Sequence, residues 1–312
     1  MNQEGSDKGS TRRRFMQIAG AAAAAAIAAP PGAEQLANTF AEGAIEQQKT
    51  TLIKHLQQRY SRDERSLLQI DLKASQLPVL DRGFKGGDVE VEHINSAMAE
   101  LVTLQNLTDV LSKYPPELVQ QNINRIGIAS GLVQQWLLPL HVKGIAERHT
   151  RTGEHRLLTT IHSLAFSANL PTNILRPYFV ALGKTLRENT THHEIGHLLL
   201  WMEEDQSHEW TRLNPPGFTY PGPMISKLDV IVPGFARGYG HMSYNEDVAT
   251  VFDSMMTDYR GLMSRVNTTK DEVLANKIAY VKNKLANADP RMTEKYWRDL
   301  SDNHVSESYW AS

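Results

Sequence analysis

His193-Glu194-Ile195-Gly196-His197 places two histidines and an acid within five residues of this chain. Two imidazoles four residues apart, with a carboxylate directly after the first, make the HExxH pattern. On a helix, positions i and i+4 share a face, so both histidines can grip one ion. Glu194 lies about 100° further round the helix. From there it addresses a water on the ion rather than the ion itself.

Outward from this motif, Asn173 to Glu188 shows helical spacing through Leu175, Tyr178, Phe179, Leu182 and Leu186. Asn189-Thr190-Thr191 reads as a break that caps a new helix from about residue 191. That helix would bury Ile195, Leu198, Leu199 and Met202 and turn its histidines to a cleft. Further upstream, Glu42 to about Asp81 is polar and only intermittently apolar, and Arg82 to Gly87 reads as a loop. Residues 94–113 have helical spacing, ended by Pro115-Pro116. Segments around 126–128, 138–142 and 157–161 read as short strands, most economically assembled as a small antiparallel sheet. Downstream, 205–240 is a long loop rich in Pro, Gly and aromatics, and helices are predicted at roughly 244–263, 270–287 and 291–300. The expected fold class is α+β, predominantly helical, built around the HExxH helix.

A catalytic zinc site needs three protein ligands and a water. The chain has no cysteine, so nitrogen and oxygen must supply them. His208, His241, Glu246 and Asp247 are candidates; Glu203 and Glu204 lie too soon after His197 to fold back onto the same ion. Glu246 has the best context, since Asn245-Glu246-Asp247 opens a helix whose Val248, Val251, Phe252 and Met255 form a face to bury. First-turn acids also favour a helix N-terminus electrostatically, which is the plainer explanation for both carboxylates. His192 should point off the metal face. Trp201, Trp210, Phe218 and Tyr220 could wall a pocket, although core packing is the better expectation for the tryptophans.

With 312 residues and 41% hydrophobic content, the chain can bury one large core. Its 33 basic and 35 acidic residues give a net charge of −2, with no nucleic-acid footprint. Thr11-Arg12-Arg13-Arg14-Phe15-Met16-Gln17 resembles the twin-arginine export motif, and the alanine-rich stretch Ile18 to Ala29 follows it. That stretch is too short to span a bilayer stably. Small residues near Ala28, Ala37 and Ala41 offer cleavage points. The organisation expected is a signal peptide at 1–41 and one domain at 42–312, exported by the twin-arginine machinery to the periplasm or beyond. Because that route carries folded proteins, the metal could be loaded before export.

Thr191-His192-His193-Glu194-Ile195-Gly196-His197, Pro233-Gly234-Phe235-Ala236-Arg237-Gly238-Tyr239 and Asn245-Glu246-Asp247 together resemble the exported zinc metallopeptidases of bacteria. That group pairs an HHExGH helix with a downstream GF…Y…NEDxAE segment. More distantly, the pattern is similar to the catalytic domain of anthrax lethal factor, a zincin with a glutamate ligand. The strong match covers about residues 190–255. The resemblance implies a zincin-like domain holding one Zn2+ through His193, His197 and Glu246. It implies Glu194 as general base, Tyr239 as support for the transition state, and a peptide or protein as substrate. An edge strand from residues 124–163 would then hold extended substrate by strand addition. Two departures stand out. Thr250 occupies a position where the family usually has a glutamate, and the lipid-anchor cysteine of many relatives is missing. The first leaves open an alternative in which the chain is a catalytically inactive exported binding protein on a zincin scaffold.

Overall fold

A computed structural model describes residues 33–61, 67–71, 89–92, 97–129, 131–135, 139–142, 144–149, 154–160, 176–200, 204–222 and 232–311. In chain order the helices are α1 (Ala33–Tyr60), α2 (Ala97–Leu111), α3 (Pro116–Asn122), α4 (Arg176–Leu199), α5 (Glu204–Thr211), α6 (Tyr244–Thr269), α7 (Glu272–Ala288) and α8 (Glu294–Ser301). Short 3-10 turns occupy Gly238–Met242 and Glu307–Ala311. The strands are β1 (Gln69–Asp71), β2 (Val89–Glu92), β3 (Arg125–Ala129), β4 (Gly131–Gln135), β5 (Pro139–Val142), β6 (Gly144–His149) and β7 (Glu154–Thr160).

The expected antiparallel sheet needs correction. The larger sheet is mixed, in the order β1-β3-β7-β6, with β1/β3 and β3/β7 parallel and only β6/β7 antiparallel. The chain between β1 and β3 carries α2 and α3, and parallel neighbours require that kind of long crossover. Antiparallel pairing throughout is confined to the separate β2-β4-β5 sheet.

Three helix expectations also change. Asn189-Thr190-Thr191 does not break the chain but lies inside α4. Each of these residues disfavours a helix interior by well under about 1 kcal/mol. Burial of Thr191, His192 and Ile195 along the same helix outweighs that. Pro116 ends nothing. It opens α3 at the first helical position, where its missing N–H is no loss. Residues 42–60 of the polar region form the later part of α1, which buries Leu56 and Tyr60 and pairs its buried Lys49 with Glu100 of α2. Ala37 and Ala41, two of the expected cleavage points, fall within α1. Ala28, the twin-arginine-like segment, the loop at 82–87, Trp201 and Glu203 lie outside the described residues.

The buried core runs without interruption from Leu56 on α1 to Trp310 near the C-terminus. Its centre is the crossing of α4 and α6. Ile195 and Leu198 meet a face of Val248, Val251, Phe252 and Met255, all buried. Gly196 permits the approach, for a Cβ there would lie 2.8 Å from Phe252 Cδ1 and 3.4 Å from Ala249 Cα. At the periphery, Trp310 Nε1 donates to Ser112 O at 3.0 Å, and His55 Nε2 reaches Glu307 Oε1 at 2.7 Å. The C-terminal turn thus closes over α1 and the end of α2. No described helix is long and apolar enough to cross a membrane.

Candidate metal centre

Helix α4 delivers His193 and His197 from consecutive turns of one face. The first turn of α6 delivers Glu246, with Ser243 as N-cap accepting from Glu246 N at 3.2 Å. His193 Nε2 is 2.9 Å from Glu246 Oε2 and 3.2 Å from His197 Nε2; His197 Nε2 is 3.6 Å from Glu246 Oε2. A tetrahedral ion with N and O ligands at about 2.0–2.1 Å sets its ligand atoms roughly 3.3 Å apart. The trio therefore fits around one such ion. Among the described residues it is the one group of three or more histidines and acids arranged to hold a metal.

The electrostatics point the same way. Burial opposes charge on His193, yet hydrogen bonds to Asp253 and Glu246, with the nearby charge of Glu194, outweigh it and hold its pKa up at about 10. Burial also opposes charge on Glu246, but hydrogen bonds to His193 and His197 keep it well below the usual carboxylate range. The cluster is built to attract positive charge.

Glu194 is buried and outside the ligand trio, and its charge reaches both His193 and Tyr239. The 3-10 turn Gly238–Met242 sets the Tyr239 ring edge-on to His193, with centroids 5.5 Å apart. Burial, then the charges of Glu246 and Glu194, push the Tyr239 phenol up, so its hydroxyl keeps its proton.

The other candidates have different roles. His208 is exposed on α5. His241 packs edge-on against Phe235 at 4.8 Å and tilted against Phe218 at 5.5 Å, in an aromatic cluster. Asp247 faces away from the trio and pairs with Lys277. Glu204 begins α5, a separate helix after the turn that ends α4. Trp210 is fully buried, whereas Phe218 and Tyr220 are partly exposed. His192 is buried against Tyr114, whose hydroxyl meets its Nδ1; burial, then Lys113, holds its pKa well below the ordinary histidine value.

One functional side chain escaped the sequence reading. Asp253 Oδ2 lies 3.0 Å from His193 Nδ1, and a carboxylate there can only accept, so Nδ1 carries a proton, and Nε2, which faces Glu246 and His197, would be the nitrogen that binds a metal. Arg237 pairs with the same buried oxygen. Asp253 stands seven residues after Glu246, two turns along the same face of α6, and that spacing was the available signal. Thr250, in contrast, is fully buried with no hydrogen-bond partner for Oγ1, so the acid that orients His193 stands three residues later.

No protein-family model matches this chain, and no curated protein matches it. Among solved structures it is similar to a "putative zinc-binding metallo-peptidase" from Bacteroides caccae ATCC 43185, with a TM-score of 0.51 and 13% identity. The likeness covers 86% of this chain and 95% of that one. At that identity the two share a fold, distantly.

Proposed function

We propose that this chain is an exported zinc-dependent metallopeptidase that hydrolyses peptide bonds with Glu194 as general base. His193 Nε2, His197 Nε2 and Glu246 Oε2 would hold the ion. Zinc bound there supplies a Lewis acid and brings the pKa of its water towards about 7. Glu194 accepts a proton as water attacks the scissile carbonyl carbon, then returns it to the leaving nitrogen as the C–N bond breaks. The protonated Tyr239 hydroxyl donates to the carbonyl oxygen as negative charge develops on it. Strand β6, at the edge of the mixed sheet and packed near α4, would take an extended peptide by strand addition.

The observation that carries this reading is the convergence of three potential ligand atoms, with the buried Glu194 next to His193 as a further acid. The fold shared with a protein named for zinc binding and peptidase activity supports it. The inactive binding-scaffold alternative drew on Thr250, and Asp253 at His193 Nδ1 takes away that support. Export by the twin-arginine route rests on Arg12-Arg13 and the alanine-rich segment alone. Substituting both arginines with lysine should leave the protein in the cytoplasm.

The activity test is cleavage of a broad peptide library by zinc-loaded protein beside Glu194→Ala. Cleavage lost in the variant, with zinc retained by both, supports the enzyme. Equal cleavage by both, or none by either with zinc bound, contradicts it.

A further inference from the structure

On the far side of the helical turn that presents Glu246, Asp247 and Lys277 form an ion pair with both side chains fully buried, Nζ to Oδ2 2.7 Å. The same oxygen accepts from Trp210 Nε1 at 3.0 Å and from the Tyr220 hydroxyl at 2.8 Å. Lys277 Nζ also donates to Gly234 O at 2.8 Å and stands 3.8 Å from the centre of the Phe235 ring. Gly240 packs on the other end of the pair, where a Cβ would lie 3.1 Å from Asp247 Cα. Gly234 and Gly240 bracket the segment that carries Tyr239. The pair therefore grips the chain before and after Tyr239, and it roots in the residue next to Glu246.

Apolar packing gives no reason for charges here. Replacing a buried ion pair by apolar groups of similar shape is often neutral or stabilising. What a pair bonded through Asp247 Oδ2 and Lys277 Nζ adds is direction, since each bonded donor and acceptor fixes one neighbour in one place.

We propose that the buried Asp247–Lys277 pair is a positioning device that sets Glu246 and Tyr239 together against the metal, an inference that rests on the function proposed above. The side chains touch neither substrate nor metal; they act through the loop and the helix start. The pair supplies a fixed frame, and the two reactive groups on either side of it move together or not at all.

The test compares full-length wild type with the Asp247→Asn/Lys277→Met double variant, which removes both charges and leaves neither unpaired. Zinc affinity is measured by chelator competition, and kcat and KM on a peptide that wild type cleaves. The double variant should keep its far-UV circular dichroism, bind zinc about tenfold more weakly and lose about tenfold in kcat. Its KM should stay within about twofold, because the loss falls on transition-state support rather than on substrate binding. Adding Tyr239→Phe should cost less in the double variant than in wild type, since a misplaced hydroxyl has little left to give. Full kcat in a folded double variant, or a loss confined to KM, overturns the proposal. If the double variant does not fold, Tyr220→Phe decides. It removes one donor to Asp247 and should lower kcat severalfold, and an unchanged kcat overturns the proposal. Should wild type cleave no peptide, the functional reading fails separately. The zinc arm then decides, with the same weakening expected in the double variant and equal affinity counting against the pair.

Discussion

At His193 the two imidazole nitrogens have separate tasks, and Asp253 assigns them. Its carboxylate accepts a hydrogen bond from Nδ1–H, which leaves Nε2 as the nitrogen that would bind a metal. Arg237 pairs with the same oxygen and holds that carboxylate in place. Asp253→Asn keeps the shape but removes the charge that holds the tautomer. Zinc affinity, measured by chelator competition, should fall about 10–100-fold while the protein stays folded. Affinity equal to wild type would mean that His193 orients itself without help. Glu246 illustrates the complementary lesson. Its neighbour Asp247 is the same kind of side chain one residue on, yet about 100° of helical rotation turns it to Lys277 and away from the metal.

At the scale of elements, the site depends on how closely α4 and α6 approach. Gly196 sets that distance, because its missing side chain is where Phe252 lies. Gly196→Ala should strain the crossing by about 1–3 kcal/mol, the usual cost of overpacking a filled core. A lower thermal midpoint together with weaker zinc binding is expected, because His193 and Glu246 sit on opposite sides of that contact. A lower midpoint with undiminished zinc affinity would separate packing from the site. The same elements show which parts were legible in the sequence. The HExxH helix, the Glu246 helix start and the C-terminal helices announce themselves through periodic apolar faces. Helix α1 did not, because its apolar positions are sparse and its buried Lys49 is paired not only with Glu46 on the same helix but also with Glu100 on another. The parallel pairing of β1, β3 and β7 was equally hidden, because strand direction is set by crossovers of many residues and leaves no local mark. Asn189-Thr190-Thr191 misled for the opposite reason, as a local capping signal overruled by burial. At the site, His193, His197 and Glu246 lie close enough to hold one ion, and Tyr239 stands beside them. Asp253 left only its seven-residue spacing from Glu246 as a signal, and the Asp247–Lys277 pair left none, since a carboxylate looks the same on paper whether it meets a histidine, a lysine or water.

For the whole molecule, a metal in this trio would tie together helices that are distant in sequence. Glu246 lies at the start of α6, which also packs against α4, α7 and α8. A ligand that binds only the folded chain stabilises it by about 4 kcal/mol at a thousandfold excess over its Kd. Stripping zinc with a chelator should therefore lower the thermal midpoint by several degrees, and returning zinc should restore it. Glu246→Ala should respond little to either treatment. A wild-type midpoint that ignores the chelator would count against a metal linking these helices.

The most direct measurement is the zinc content of purified protein, counted by elemental analysis for wild type, Glu194→Ala and Glu246→Ala side by side. The account predicts one equivalent in wild type and in Glu194→Ala, because Glu194 serves the reaction and not the ion. It predicts that Glu246→Ala loses most of its zinc. No zinc in wild type after loading, or full zinc in Glu246→Ala, would contradict it.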